Sequence, residues 1–234
     1  MRLGGIKSVE NAHDDSVWAV TWVPATANRP PLLLTGSLDE TVRLWRSDDL
    51  LLERTNTGHC LGVASVAAHP LGSLAASSSL DSFVRVFDVD SNATVATLEA
   101  PPSEVWQMRF DTKGSILAVA GGGSASVKLW DTSTWEPVAT LSIPTDKSGH
   151  LMAVRSLVYS PYDPRVLFTA SDDGSSDRSV RLWDLSMRAS VQTMSNHTDQ
   201  VWGVAFRPPG GTDAPAARLA IVSDDKTISL YDYS

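Results

Sequence analysis

The sequence has a single cysteine, no long apolar run and a deficit of basic charge, and each of these removes a class of protein. A lone Cys60 excludes an internal disulfide framework and fits a reducing compartment. No apolar stretch approaches the roughly 20 residues that a membrane helix needs. The first residues, Met1 to Glu10, lack the apolar core of a signal peptide. The 19 Lys and Arg stand against 27 Asp and Glu, a net charge of −8. Sequence-independent grip on a phosphate backbone wants clustered Lys and Arg; none is present, so protein partners are favoured over nucleic acid. Helical 3.6-residue periodicity is missing too. What is left is 234 residues, 42% apolar and 20% charged, which suits one large all-β domain spanning 1–234.

What is present is a repeat. Val42-Arg43-Leu44-Trp45 returns as Val84-Arg85-Val86-Phe87, Val127-Lys128-Leu129-Trp130, Val180-Arg181-Leu182-Trp183 and Ile228-Ser229-Leu230-Tyr231. The aromatic ends lie 42, 43, 53 and 48 residues apart. Six residues before the aromatic stands an acid in four of five units: Asp39, Asp81, Asp177 and Asp225. A histidine lies further upstream in four: His13, His59, His150 and His197. The third unit has Ser124 and Pro101 at these places. Two strand-like runs separate His from Asp, and a short run follows each aromatic, giving four short strands per unit.

These recurring residues, with Gly58-His59, Trp130-Asp131 and Trp183-Asp184 as signature dipeptides, resemble the WD-repeat family of β-propellers. The resemblance implies an all-β propeller of five recognisable four-stranded blades, where the family usually has seven, and no cofactor, metal or catalysis. At ~42 residues per blade, seven would need about 290 residues. It also implies that an N-terminal strand, Ile6–Glu10, completes the last unit, which ends at Ser234 after its third strand. In blade one, His13, Ser37, Asp39 and Trp45 match the family's structural hydrogen-bond tetrad; His150, Asp177 and Trp183 match it in blade four. His, Ser and Asp together invite a hydrolase reading, but one set per blade cannot converge on a single site. Blades two, three and five, which lack the Trp or the His–Asp pair, should be less firmly pinned. Gly121-Gly122-Gly123 leads into a strand and so is no phosphate loop. His69 has no Cys or His at ligand spacing.

Eight tryptophans remain to be placed. Trp22 is expected as a core aromatic of its strand. Trp18, Trp106 and Trp202 each follow the valine that opens a unit's first strand, where the other units carry Ala64 and Arg155. A position that accepts Trp, Ala or Arg is not filling a fixed volume in a close-packed core. In the family this position resembles the rim of the central channel, where partner peptides dock; Leu38 and Asp224, in neighbouring turns, join it. Strict alternation gives the competing reading: Trp18, Val20 and Trp22 share one strand face and are core.

Several segments, among them "ENAHDDSVWAVTWVPA", "LEAPPSEVW" and "SNHTDQVWGVAFRPPGG", resemble a plant subfamily, counterparts of the small WD subunit of the superkiller complex. That resemblance implies a monomeric scaffold shared by the superkiller complex and the polymerase-associated factor complex, in nucleus and cytoplasm, with no direct nucleic acid or membrane contact. The alternative is a substrate receptor of a cullin-type ubiquitin ligase. Such a receptor carries Trp-Asp-x-Arg, and here Trp183-Asp184-Leu185-Ser186 and Trp130-Asp131-Thr132-Ser133 lack the arginine. A G-protein β subunit would need a long helix before the first blade, and twelve residues precede His13. Two blades are thus expected to be missing internally. Residues 170–185, "ASDDGSSDRSVRLWDL", hold two turn signals where one hairpin needs one, as if two blades were joined between Gly174 and Ser175. Pro144–Met152 is the other candidate seam.

Overall fold

Short runs of β-branched and aromatic residues, cut by Asp-, Ser- and Gly-rich turns, satisfy their backbone groups by pairing with sequence neighbours. The computed structural model describes residues 7–99, 105–121, 126–141, 150, 153–171, 179–195, 197–206 and 217–233. Among them the chain forms nineteen strands and no helix. They fall into two compact units, Met1–Glu99 and Ala100–Ser234.

The first unit holds two antiparallel sheets of four strands in sequence order. β1 (Val17–Val23), β2 (Leu32–Ser37), β3 (Val42–Arg46) and β4 (Leu52–Asn56) form the first. β5 (Val63–Ala68), β6 (Leu74–Ser79), β7 (Phe83–Asp88) and β8 (Thr94–Glu99) form the second. The second unit holds three sheets. β9 (Val105–Phe110), β10 (Ile116–Gly121), β11 (Val127–Asp131) and β12 (Pro137–Leu141) form one. β13 (Val154–Tyr159), β14 (Val166–Ser171), β15 (Val180–Asp184) and β16 (Ala189–Met194) form the next. β17 (Val201–Phe206), β18 (Ala217–Ser223) and β19 (Ile228–Tyr233) form the last.

Each sequence repeat is therefore one blade, and among the described residues the fifth blade has three strands. The segment expected to supply its fourth does not form one in its described part: Lys7 to Glu10 carry no strand, and Ile6 lies outside the described residues. Residues 142–149, 151–152 and 172–178 also lie outside them, and with them fall Asp177 and the joins of both candidate seams.

A sheet buries one face by packing on its neighbour. In the first unit, Leu32, Leu34, Val42 and Leu44 of blade one pack with Val63 and Val66 of blade two. Burying one such valine contributes roughly 1.5 kcal/mol or more. Gly36 makes this close approach feasible. A Cβ there would stand 2.6 Å from Val63 Cγ1 and 3.0 Å from Val66 Cγ1, inside contact distance for any larger residue. The position in the same register, opposite the valine or isoleucine three residues before the third-strand aromatic, is Ser78, Ala120 and Ala170 in blades two to four and Val222 in blade five. Within the second unit, Ala120 and Val127 pack with Val154 and Leu157, and Ala170 and Val180 with Val201 and Ile221.

Candidate functional site

The β2–β3 turn shows what the conserved-looking acids of the repeat do. Asp39 Oδ1 accepts from Thr41 N (2.9 Å) and Thr41 Oγ1 (2.7 Å), and its Oδ2 accepts from Asp14 N (2.9 Å) and His13 Nδ1 (2.9 Å). Glu40 takes a left-handed φ of +68° to close the turn, as Ser82 (+67°) and Lys226 (+68°) do in blades two and five. Burial pushes the Asp39 carboxyl up, but the Thr41 hydroxyl, the Asp14 and Thr41 amides and His13 outweigh it and hold the group far below the usual carboxylate range.

Behind the turn runs a buried polar chain. Trp45 Nε1 donates to Thr35 Oγ1 at 2.9 Å, and the Thr35 hydroxyl meets His13 Nε2 at 2.8 Å. With the Thr35 oxygen accepting from the indole and its proton going to Nε2, His13 is assigned the Nδ1–H tautomer that donates to Asp39. The hydroxyl is thus Thr35 and not the expected Ser37. Both lie on one face of β2, two residues apart, but Ser37 is at the strand end. There its Oγ donates to the Asp15 carbonyl (3.1 Å) and accepts from Asp39 N (3.1 Å). Only Thr35, one step deeper, lies between imidazole and indole.

Blade four repeats the arrangement: Trp183 Nε1 donates to Thr169 Oγ1 at 2.8 Å, and Thr169 meets His150 Nε2 at 2.7 Å. Blade two has Ser77 at this register, 2.9 Å from His59 Nε2, and Phe87 in place of the indole. Blade five keeps the His197–Asp225 contact at 2.9 Å but has Ile221 at the hydroxyl position, and both His197 Nε2 and Tyr231 Oη are buried with no partner among the described residues. Blade three has Val119 there, and Trp130 Nε1 is likewise buried with no partner among the described residues.

The exposed candidates share a different local cause. In every blade the first strand breaks register after its opening valine: Val17 and Ala19, Val63 and Ser65, Val105 and Gln107, Val154 and Ser156, Val201 and Gly203 occupy successive rungs. The residue skipped is Trp18, Ala64, Trp106, Arg155 or Trp202. A β-bulge leaves one residue unpaired and re-aims its side chain. Alternation therefore does not carry Trp18 into the core, and it is half exposed. The bulge has a sequence signature: apolar residues at a spacing of three (Val17 and Val20, Val63 and Val66, Val105 and Met108, Val154 and Leu157, Val201 and Val204), which a regular strand of period two cannot place on one face. Trp22, expected in the core, is exposed.

Three of these residues meet in the second unit. Arg155 Cζ lies 4.4 Å from the ring centroid of Trp106 and 5.6 Å from that of Trp202, within cation–π range on both sides. Trp202 remains 47% exposed. Asp224, exposed, starts the β18–β19 turn in the same unit, its N–H bonded to Gln200 O at 2.9 Å. In the first unit Leu38 holds the corresponding turn position, its side chain against Gly62 at the entry to blade two. The arrangement presents planar aromatic surface around a guanidinium on backbone fixed by the bulges.

Five stretches of the chain, residues 6–46, 51–88, 92–131, 135–184 and 188–232, match the WD domain, G-beta repeat. The chain is 55% identical to WD repeat-containing protein VIP3 of Arabidopsis thaliana over the full length of both. That alignment spans 325 positions, 91 more than the 234 residues of this chain. It is 29% identical to WD repeat-containing protein SL1-17 of Schistosoma mansoni, over 95% of this chain and 68% of that protein. It is 25% identical to a guanine nucleotide-binding protein subunit beta of Zea mays, over 94% of this chain and 56% of that one. The matched stretches coincide with the five antiparallel meanders described above, and the chain belongs to the WD-repeat family.

Proposed function

We propose that this chain is a non-catalytic scaffold that serves in the superkiller complex, assisting exosome-driven mRNA decay, and in the polymerase-associated factor complex of transcription elongation, with residence in cytoplasm and nucleus. WD repeats make it a protein-interaction module; its place in these two complexes rests on the subfamily resemblance of its segments. Full-length identity to VIP3 supports assigning it to that subfamily.

The observation that carries the binding reading is the Arg155 guanidinium between Trp106 and Trp202, on residues that bulges lift out of the strand ladder. Exposed aromatics beside an arginine have the composition of interaction hot spots. Trp18, Leu38 and Asp224 are read as further parts of the partner-binding set. In blade one His13, Asp39 and Thr35 are all engaged in holding the turn and the Trp45 indole, which supports a structural use over one as nucleophile or base.

The 91 additional alignment positions are read as two repeats absent from this chain, since its own repeats run 42 to 53 residues. Partner contacts that need those repeats are lost with them. Affinity co-purification of the tagged chain from plant cell extract tests the assignment. Recovery of superkiller or polymerase-associated factor subunits is the expected result, and recovery of cullin-ligase subunits in their place overturns it.

A further inference from the structure

In the first unit, two arginines seal the outer end of the seam between blades one and two. Arg54, opposite Leu44 in the β3–β4 register, donates from Nη1 to the Val89 carbonyl of blade two at 2.8 Å. Arg29, in the loop of residues 24–31, donates to the Gly72 carbonyl at 2.6 Å and pairs with Asp90 at 2.9 Å. Beneath them Val89 is fully buried. The seam between blades three and four, inside the second unit, is built from other residues. Ala139 stands opposite Leu129, where blade one has Arg54 opposite Leu44. The β9–β10 connection is the short turn of residues 111–115 and holds no arginine. Leu185 and Ser186 take the places of Val89 and Asp90, two and three residues after the blade's aromatic. A cavity of about 340 Å³ is left, large enough to take a side chain from outside. Its floor is apolar, made by Ile116, Leu129, Val138 and Ala139 of blade three and Leu185 of blade four. Its rim carries Lys113, Arg165 and Arg188, all exposed.

We infer that this groove is a docking site for an acidic peptide segment of a partner protein, which inserts one large apolar side chain where blade one has Arg54 and sets its carboxylates against the rim. The lining chooses the occupant. A basic side chain imitating Arg54 would meet three cations, and the acid that pairs with Arg29 in the first seam is replaced by Ser186. The carboxylates close by are turned to their own loops. Asp111 accepts from Ile116 N at 2.9 Å and Ser115 Oγ at 3.0 Å, and Asp184 from Ser186 N at 2.8 Å. Asp163 pairs with Arg165 at 2.7 Å. Lys113 and Arg188 are left to attract an incoming anion, in a chain whose net charge is −8. A phosphate backbone would match the cations but leave the apolar floor unfilled, whereas an apolar anchor in a pocket is how peptide contacts gain most of their affinity. The groove shares no residue with the cluster around Arg155 and stands independently of it.

Panning the full chain against a displayed library of random peptides tests this, with the enriched peptides then synthesised with a fluorescein label and titrated by fluorescence polarisation. The expected peptides carry a Leu, Ile, Met or Phe flanked by Asp or Glu, and salt weakens their binding. Ala139→Arg, which fills the groove as Arg54 fills the first seam, is expected to lower their affinity about tenfold or more. The charge reversal Lys113→Glu/Arg188→Glu, at two exposed positions, is expected to do the same. Near-ultraviolet circular dichroism checks that each variant is folded, and should Ala139→Arg fail to fold, the charge reversal decides. A library that yields no enriched peptide, or only peptides without acidic residues, overturns the inference. So do acidic peptides that either folded variant binds as tightly as the wild type, since they would then sit elsewhere on the protein.

Discussion

Blades one and five hold the same His–Asp contact, 2.9 Å in each, and differ at the hydroxyl position of the second strand. In blade one Thr35 ties the imidazole to the Trp45 indole on the third strand, so the loop before β1, the hairpin turn and β3 are joined through side chains. In blade five Ile221 stands at that position. The histidine still clamps the turn, but its second nitrogen and the Tyr231 hydroxyl have no partner among the described residues. The repeat therefore contains two separable devices. The His–Asp pair closes a turn, and the hydroxyl extends that closure across the blade.

Converting blade one to the state of blade five should have the largest effect. Thr35→Val orphans two buried nitrogens at once. At about 1–3 kcal/mol for each unsatisfied buried group, the loss should be about 2 to 6 kcal/mol, read as a drop in the urea midpoint. Thr35→Ser, which keeps the hydroxyl as Ser77 does in blade two, should retain most of it.

Acid should weaken the clamps next. The folded-state carboxyls of Asp39, Asp81 and Asp225 all lie below the ordinary value of 3.8. Their stabilisation is present above about pH 4 and is lost as the pH falls further, because the unfolded chain then binds protons that the folded chain refuses. His59 adds an earlier loss. Burial, outweighing the pull of Asp81, lowers it below 6.5, so the folded chain resists the charge that the unfolded chain accepts. Stability should begin to decline as the pH drops below about 6.5. Urea midpoints across pH should show both stages, with His59→Gln flattening the upper one.

The smallest effect runs the other way. Val119 in blade three lies in the register of Thr35, beside the orphaned Trp130 indole, and Thr is its near-isostere. Val119→Thr should stabilise by about 0.5 to 1 kcal/mol. A double-mutant cycle with Trp130→Phe should assign that gain to the new hydrogen bond.

Much of this was legible in the sequence. The repeat period gave the blades, and the spacing of His and Asp gave the turns. The choice between Ser37 and Thr35 was not legible, because both are small hydroxyl residues on one strand face and depth alone separates them. The bulged position was legible as a site of unlike residues, but its cause was hidden by reading β1 as a regular alternating strand. The three-residue spacing of Val17 and Val20 breaks that alternation and betrays the bulge. Trp22 was misplaced for a related reason. An aromatic at a strand position implies a covered face only where a neighbouring blade covers it, and composition does not report the neighbour.

The central claim is that the buried polar chains hold the blades while the bulged residues bind partners. It is tested most directly by measuring melting temperature and partner affinity in one series. The series comprises the wild type, a Trp18→Ala/Trp202→Ala variant and Thr35→Val, probed with subunits recovered by co-purification. The bulge variant is predicted to melt within about 2 °C of the wild type while losing about tenfold or more in affinity, about 1.4 kcal/mol. Thr35→Val is predicted to melt well below it while its folded fraction binds normally. A bulge variant that melts early, or one that keeps full affinity, would contradict the account.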